Sequence, residues 1–352
     1  MGQLRSNIFR AGLEALYFSG AHHLLRPLFA GIGTIFMLHH VRPARGGPFQ
    51  PNRHLEITPE FLRATLAHVR ELDIDIITLS EMHARMRARD FTRRFACFTF
   101  DDGYRDNRDF ALPVMRDYAA PFTVYVTSDF AAGTGRLWWV ALERLIERAD
   151  VLEVPVNGQP TRIACAGAGA KRDAFATMIG WLGSMPSDVE VNRTVSDLCR
   201  RHGIDDSGIA RELCMSWQEL QTFGNDPLVT IGAHTVSHCN VAKCTSDVAE
   251  REIAESRSAI ESKLDRPALH FAYPYGDRGA AAARDFAIVR KLGFQTAVTT
   301  RPGMLFAENA EHMTALPRLS LNGNYQDKRL LQVLTSGAAT AMWNGFRRVD
   351  AA

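Results

Sequence analysis

Lysine is scarce in this 352-residue chain: only Lys171, Lys243, Lys263, Lys291 and Lys328 occur, so arginine carries most of the positive charge. Neither sign predominates. The 41 basic and 39 acidic residues leave a net charge of +2, which argues against a nucleic-acid binder that works by neutralising phosphates. Paired cysteines are lacking too. Cys97, Cys165, Cys199, Cys214, Cys239 and Cys244 are scattered, with no CxxC. That excludes a disulfide framework, fits structural zinc poorly at the Cys239–Cys244 spacing, and reads as reduced, buried thiols in a reducing compartment. The longest apolar run, Phe29 to Leu38, is about half the ~20 residues that span a bilayer. Arg10, Glu14, His22, His23 and Arg26 interrupt the N-terminal apolar stretches, and no cleavage site follows a clean apolar core. A secretory leader is not expected, and a cytoplasmic location is. What remains is an ordinary globular composition, 46% hydrophobic and 23% charged, without repeats.

Strand-like and helix-like segments alternate along the chain. Apolar or β-branched runs fall at 34–41, 74–79, 95–100, 122–127, 228–233, 269–273, 294–299 and 316–321. Thr58 with Pro59 starts one helix and Ser80 with Glu81 another, 246–264 reads as a long solvent-facing helix, and 280–292 stops at Gly293. Alternation with buried apolar strands means α/β, a mainly parallel sheet, and about eight strands close naturally into a barrel. Residues 130–226 break the rhythm with Trp138 and Trp139, a helix near 141–148 and a Gly/Ala-rich stretch at 164–170. A structureless loop of that length is implausible, so it reads as a helical insertion. The expected divisions are an N-terminal amphipathic helix over 1–32, a barrel over 33–336 carrying the insertion 130–226, and a tail over 337–352. In residues 6–30, Ile8, Leu13, Leu16, Tyr17, Leu24, Leu25 and Leu28 recur at helical intervals, with Arg5, Arg10 and Arg26 nearby. Two readings follow: a helix packed on the main domain, or a basic amphipathic helix in peripheral contact with a membrane.

Four segments carry chemistry. In Phe98-Thr-Phe-Asp-Asp-Gly-Tyr104 a strand runs into two carboxylates. Adjacent acids on a regular strand face opposite ways, so Asp101 and Asp102 share a site only if the chain turns there, which Gly103 permits. Such a pair suits one carboxylate on a metal and the other as base. In Ile231-Gly-Ala-His-Thr-Val-Ser-His238, His234 and His238 also follow a strand, and their spacing of four aligns both rings if the turn is helical. Two histidines and a carboxylate form a common catalytic set for a divalent metal. Phe271-Ala-Tyr-Pro-Tyr-Gly276 runs into a Pro/Gly turn whose aromatics Tyr273 and Tyr275 could wall a groove, and Phe36-Met-Leu-His-His-Val41 places one of His39 and His40 inward.

In this order the segments resemble the polysaccharide deacetylase family, the NodB-homology group or carbohydrate esterase family four, over roughly residues 33–320 outside the insertion. The resemblance implies a distorted (β/α) barrel of seven to eight strands. It implies that Asp102, His234 and His238 hold a divalent metal, usually zinc and sometimes cobalt or nickel, with Asp101 as general base and His39 as acid. The metal would activate water and polarise the acetamide carbonyl, and the Tyr104 backbone N–H would help bind the oxyanion. Tyr273, Pro274 and Tyr275 would meet an N-acetylated glycan substrate. Two departures stand out: Ala272 occupies the position where the family often carries an arginine, leaving Arg318 to orient Asp101, and only His312 lies late in the chain. The implied activity is metal-dependent removal of N-acetyl groups from an amino-sugar polysaccharide, oligosaccharide or lipid-linked glycan, releasing acetate. A biosynthetic intermediate at the inner membrane face would suit a cytoplasmic enzyme. Two alternatives stay open: a related amidase on a non-sugar amide, or an inactive glycan-binding scaffold.

Overall fold

The computed structural model describes residues 3–156 and 158–350. Seven parallel strands form its centre: β1 (Gly33–Leu38), β2 (Phe95–Phe100), β3 (Phe122–Val126), β4 (Val229–Ala233), β5 (His270–Ala272), β6 (Thr296–Pro302) and β7 (Leu316–Ser320). Neighbours follow chain order, and β1 closes the ring by pairing with both β2 and β7. Every residue of β1, β2 and β3 is buried, as strands covered by helices outside and packed side chains inside require. The (β/α) barrel expected from the alternation is therefore present. The run at 74–79 does not join the ring. Only Asp75–Ile76 pair, alongside Phe95 and Ala96, because Thr78 already caps the next helix, Leu79–Ala88, by accepting from the Glu81 amide at 3.0 Å. Thr78, not Ser80, is thus the cap, and the Ser80 hydroxyl instead meets His270 of β5 at 3.0 Å. The other expected cap holds, with the Thr58 hydroxyl accepting from the Phe61 amide at 3.2 Å.

The long interruption folds around its own apolar cluster, which includes Leu142, Leu145, Met178, Leu182, Leu198 and Cys199. Helices Trp138–Arg148, Gly167–Gly183 and Asp188–Arg201 dominate it. It also contains an antiparallel hairpin, Val151–Val156 with Gln159–Ala164, which the purely helical expectation overlooked. Pro155, Pro160 and exposed polar positions weaken its alternation. All six cysteines are free thiols, five of them buried.

At the N-terminus two helices, Gln3–Phe18 and Ala21–Phe29, replace the single expected one. Gly20 at φ 71° separates them. Leu13 reaches the main core, and the Phe9 ring packs against Tyr325 and Trp343 at 5.3 and 5.8 Å. Residues 337–352 are not merely a tail: Ala338–Trp343 is a helix whose Ala338–Ala341 are buried. Gly337 allows this approach, since it sits at φ +77° and a Cβ there would lie 1.9 Å from the Phe29 carbonyl oxygen.

Candidate active site

The C-terminal ends of the barrel strands gather the expected residues in one place, where sites of this architecture form. The Asp101 amide still donates to the Leu38 carbonyl at 2.9 Å, continuing the ladder beyond β2. Asp102 then turns at φ 73° and Gly103 at φ 69°, so the chain reverses at the second carboxylate rather than after it. That is how two adjacent acids come to share one site. Both are buried.

Asp102 meets the two histidines. Its Oδ1 lies 3.5 Å from His234 Nε2 and 3.2 Å from His238 Nε2. Among the described residues these three form the only cluster with the spacing of a metal site, their ligand atoms all within 4.8 Å of one another. Two further observations fit a cation. Asp102 Oδ1 is buried without a hydrogen-bond partner. His234 Nδ1 donates to the Ala272 carbonyl at 2.7 Å, which leaves Nε2 with a lone pair aimed at the cluster. The two Nε2–Oδ1 separations also bracket about 3.3 Å, the edge of a tetrahedron with bonds of about 2.0–2.1 Å. Burial would raise the Asp102 pKa, but the His238 and His234 rings hold it well below the ordinary carboxylate range.

The histidine pair does not sit on a helical turn. Residues 234–238 form an irregular loop with Thr235 at φ 61° and His238 at φ 60°. Glu252, on the helix Ser246–Leu264, holds that loop: its carboxylate accepts from the Val236 and Ser237 amides at 3.0 and 2.9 Å and from the Ser237 hydroxyl at 2.9 Å. Sequence reading missed Glu252 because it is one of several acids on a helix taken as solvent-facing. Asp188, from the insertion, was missed as well. It accepts from the Asn240 amide at 2.6 Å and from the Tyr275 hydroxyl at 3.4 Å. Phe130 stacks on the His238 ring at 5.6 Å, and Trp139 approaches it at 5.0 Å.

Asp101 is paired differently. The Arg318 guanidinium, completely buried, donates to both its oxygens at 2.7 Å, and Arg318 Nε donates to the Thr299 carbonyl at 2.8 Å. Burial pushes the Asp101 pKa up, yet Arg318 outweighs it and keeps the group below its usual range. His39 Nε2 stands 3.9 Å from Asp101 Oδ2. Burial pulls the His39 pKa down, with Asp101 opposing. His40 turns the other way, its Nδ1 2.6 Å from Asp106 and its ring stacked 3.5 Å from Tyr104.

A groove of about 1360 Å³ runs across these groups and is lined by His39, Asp101, Asp102, His234, His238 and Tyr275, with Trp138 and Trp139 from the insertion. Three expected substrate contacts fall outside its lining. Tyr273 points into the core, where its hydroxyl donates to the Thr314 carbonyl at 2.9 Å; regular alternation would put Tyr275 on the same face, but the chain bends after the strand and Tyr275 sits at φ 62°. Pro274 is buried in the turn between them. The Tyr104 ring is buried, stacked on His40; the contact expected of Tyr104 is through its backbone N–H. Tyr275 does face the groove, and its hydroxyl accepts from the Trp138 indole at 3.1 Å.

Comparison with known proteins agrees with this fold. The model of the family described as polysaccharide deacetylase matches residues 184–297, a stretch that includes His234, His238 and Tyr275 and leaves out Asp101 and Asp102. No curated protein matches the chain. Among solved structures it is similar to the Streptococcus pyogenes deacetylase PplD in complex with acetate, at 16% identity and a TM-score of 0.56, covering 86% of this chain and 97% of that one. It is also similar to IcaB from Ammonifex degensii, at 16% identity and a TM-score of 0.51, with the same coverage. At such identities these likenesses bear on the fold, which is that of the NodB-like barrel.

Proposed function

We propose that this chain, whose residues 184–297 match the polysaccharide deacetylase family model, is a metal-dependent hydrolase that removes N-acetyl groups from an amino-sugar glycan. The observation that carries the reading is the pairing of two unlike carboxylates at the barrel mouth. Asp102 faces His234 and His238, while Asp101 is clamped by Arg318 beside them. Asp102, His234 and His238 would hold a divalent metal of the zinc, cobalt or nickel kind. Bound there, such an ion supplies an acidified water and a polarised acetamide carbonyl. Asp101, kept ionised by Arg318, takes the proton of the attacking water at a carboxylate oxygen. His39 Nε2, 3.9 Å from that carboxylate, delivers a proton to the departing amine. The backbone N–H of Tyr104 would stabilise charge on the former carbonyl oxygen. Water and the N-acetyl group are consumed; acetate and a free amine are formed. Tyr275 and Trp138 offer ring faces to sugars along the groove. The helical insertion contributes one wall, so it bears on which glycan fits.

Acetate release from a panel of N-acetylated sugars, measured after chelation and again after adding zinc, cobalt or nickel, tests this directly. Activity should vanish and return, and Asp101→Asn should abolish it. A protein that binds no divalent metal and whose Asp101→Asn variant deacetylates as before would overturn the reading.

A further inference from the structure

We infer that the two chain termini together form a docking face for an anionic lipid bilayer, set at the edge of the groove. The N-terminal helices expose Ile8, Phe18, Leu24 and Leu28, and the C-terminal segment exposes Met342, Trp343 and Phe346. Only Phe110 and Val189 share this degree of exposure among the other large apolar side chains described. The exposed apolar surface is therefore concentrated on elements that touch one another: the Phe29 ring lies 5.6 Å from Phe346, and Phe9 lies 5.8 Å from Trp343. Leu24 and Leu28 are one turn apart and 80% and 56% exposed, so both present the same side of their helix. Each of these helices also has an inner face, with Leu13, His22 and Ala338–Ala341 buried. They are held on the barrel by one side and leave the other uncovered.

The charge around this surface identifies its occupant. Residues 1–30 contain Arg5, Arg10 and Arg26 against the single acid Glu14, and the C-terminal segment adds Arg347 and Arg348 against Asp350. The side chain of Arg5 lies outside the described residues. Arg347 and Arg348, next to Phe346, are exposed and make no ion pair among the described residues. An apolar face bordered by unpaired guanidinium groups matches the boundary of a bilayer with negative headgroups, where the apolar side chains enter the acyl region and the cations remain at its surface. No helix among the described residues is long and apolar enough to cross a membrane, so the contact is peripheral. The same groove that holds Asp101, Asp102, His234 and His238 is lined by Phe9 and Trp343. The groove thus reaches the docking face, which would bring an acetylated amino sugar carried on a lipid near the site; that last step alone rests on the deacetylase reading.

The test uses the full chain and flotation with phosphatidylcholine vesicles, with and without phosphatidylglycerol. The protein should float with the anionic vesicles and lose binding as salt rises. Leu24→Glu with Leu28→Glu should weaken binding at least about tenfold, while Val189→Glu, on the insertion, should leave it unchanged; circular dichroism checks that each variant is folded. Absence of flotation with either vesicle, or equal binding by the Leu24/Leu28 variant, would overturn the inference. So would a dimer in sedimentation velocity that the same variant dissociates, since a second copy would then cover the face. Vesicle binding needs neither metal nor substrate, so failure of the deacetylase reading and failure of this one are separable.

Discussion

Arg318 offers the sharpest perturbation. Its guanidinium is completely buried, makes two 2.7 Å bonds to Asp101, and is itself fixed by the Thr299 carbonyl at 2.8 Å and the Thr99 hydroxyl at 3.2 Å. Arg318→Met removes the charge and leaves a buried carboxylate unpaired, which costs about 3–5 kcal/mol. Arg318→Lys keeps a charge but loses the bidentate fork, so a loss of about 2 kcal/mol is expected. In the folded enzyme Asp101 loses its fixed orientation, and misplacing a reacting group by about 1 Å costs on the order of a hundredfold in rate. Urea unfolding gives the stability changes, and steady-state acetate release at saturating metal gives the rates. For Arg318→Lys we expect kcat lowered about a hundredfold with KM within a fewfold of the original. Asp101→Asn and Arg318→Met combined should destabilise by clearly less than their sum, because the second change removes a partner already lost. Wild-type kcat in Arg318→Lys, or strictly additive destabilisation in the double variant, would refute the positioning role.

Other predictions follow from single contacts. Asp102→Asn or His234→Ala should abolish stoichiometric binding of a divalent metal, measured by elemental analysis after dialysis, without unfolding the barrel. Glu252→Gln cannot accept from all three donors of the 236–237 loop; metal affinity should fall about tenfold in a chelator competition. His270 is fully buried between the Ser80 and Thr296 hydroxyls, and burial lowers its pKa from 6.5 to about 4. The unfolded chain therefore binds more protons between those values, so the stability it confers is complete above pH 6.5 and is lost toward pH 4. The loss amounts to about 3 kcal/mol, and His270→Gln should flatten that part of the Tm-against-pH curve. Gly337→Ala places a Cβ against the Phe29 carbonyl at φ +77°. It should lower Tm by several degrees, with the effect confined to loosening of the terminal helices in hydrogen exchange.

The barrel was legible because its strands are short apolar runs bounded by helix caps, and that pattern needs no knowledge of what lies far away in sequence. The same locality explains the misses. Tyr273 and Tyr275 look equivalent in Tyr-Pro-Tyr, and only the bend that follows His270–Ala272, with Tyr275 in a left-handed conformation, decides that one fills the core and the other faces the groove. His234 and His238 share the spacing of a helical pair, yet two left-handed residues place them. That conformation depends on Glu252, whose role is invisible until the helix Ser246–Leu264 is packed against β4. Arg318 could be suggested from sequence only because Ala272 left a position without its usual cation. Its pairing with Asp101 spans more than two hundred residues and rests on β7 closing the ring beside β1.

That closure also shows how one dipeptide could serve the two tasks proposed for it. Asp101 and Asp102 are neighbours in the chain and both buried, so their intrinsic affinities for protons or cations are alike. Their surroundings separate them. Both Asp101 oxygens receive a guanidinium N–H, so its charge is balanced inside the protein and a cation gains little by approaching it. Asp102 has no guanidinium partner; it lies against the His234 and His238 rings, and its Oδ1 is left without a hydrogen-bond donor. On the proposed reading, the carboxylate without a guanidinium partner would be the one a divalent ion binds, and the clamped one would stay ionised yet uncoordinated, free to accept a proton. Transferring Arg318 from Asp101 to Asp102 would collapse the distinction, because the metal ligand would be neutralised and the base left to bind the ion. On the proposed reading, the division of labour between two identical side chains would thus be set by a single arginine on the far strand.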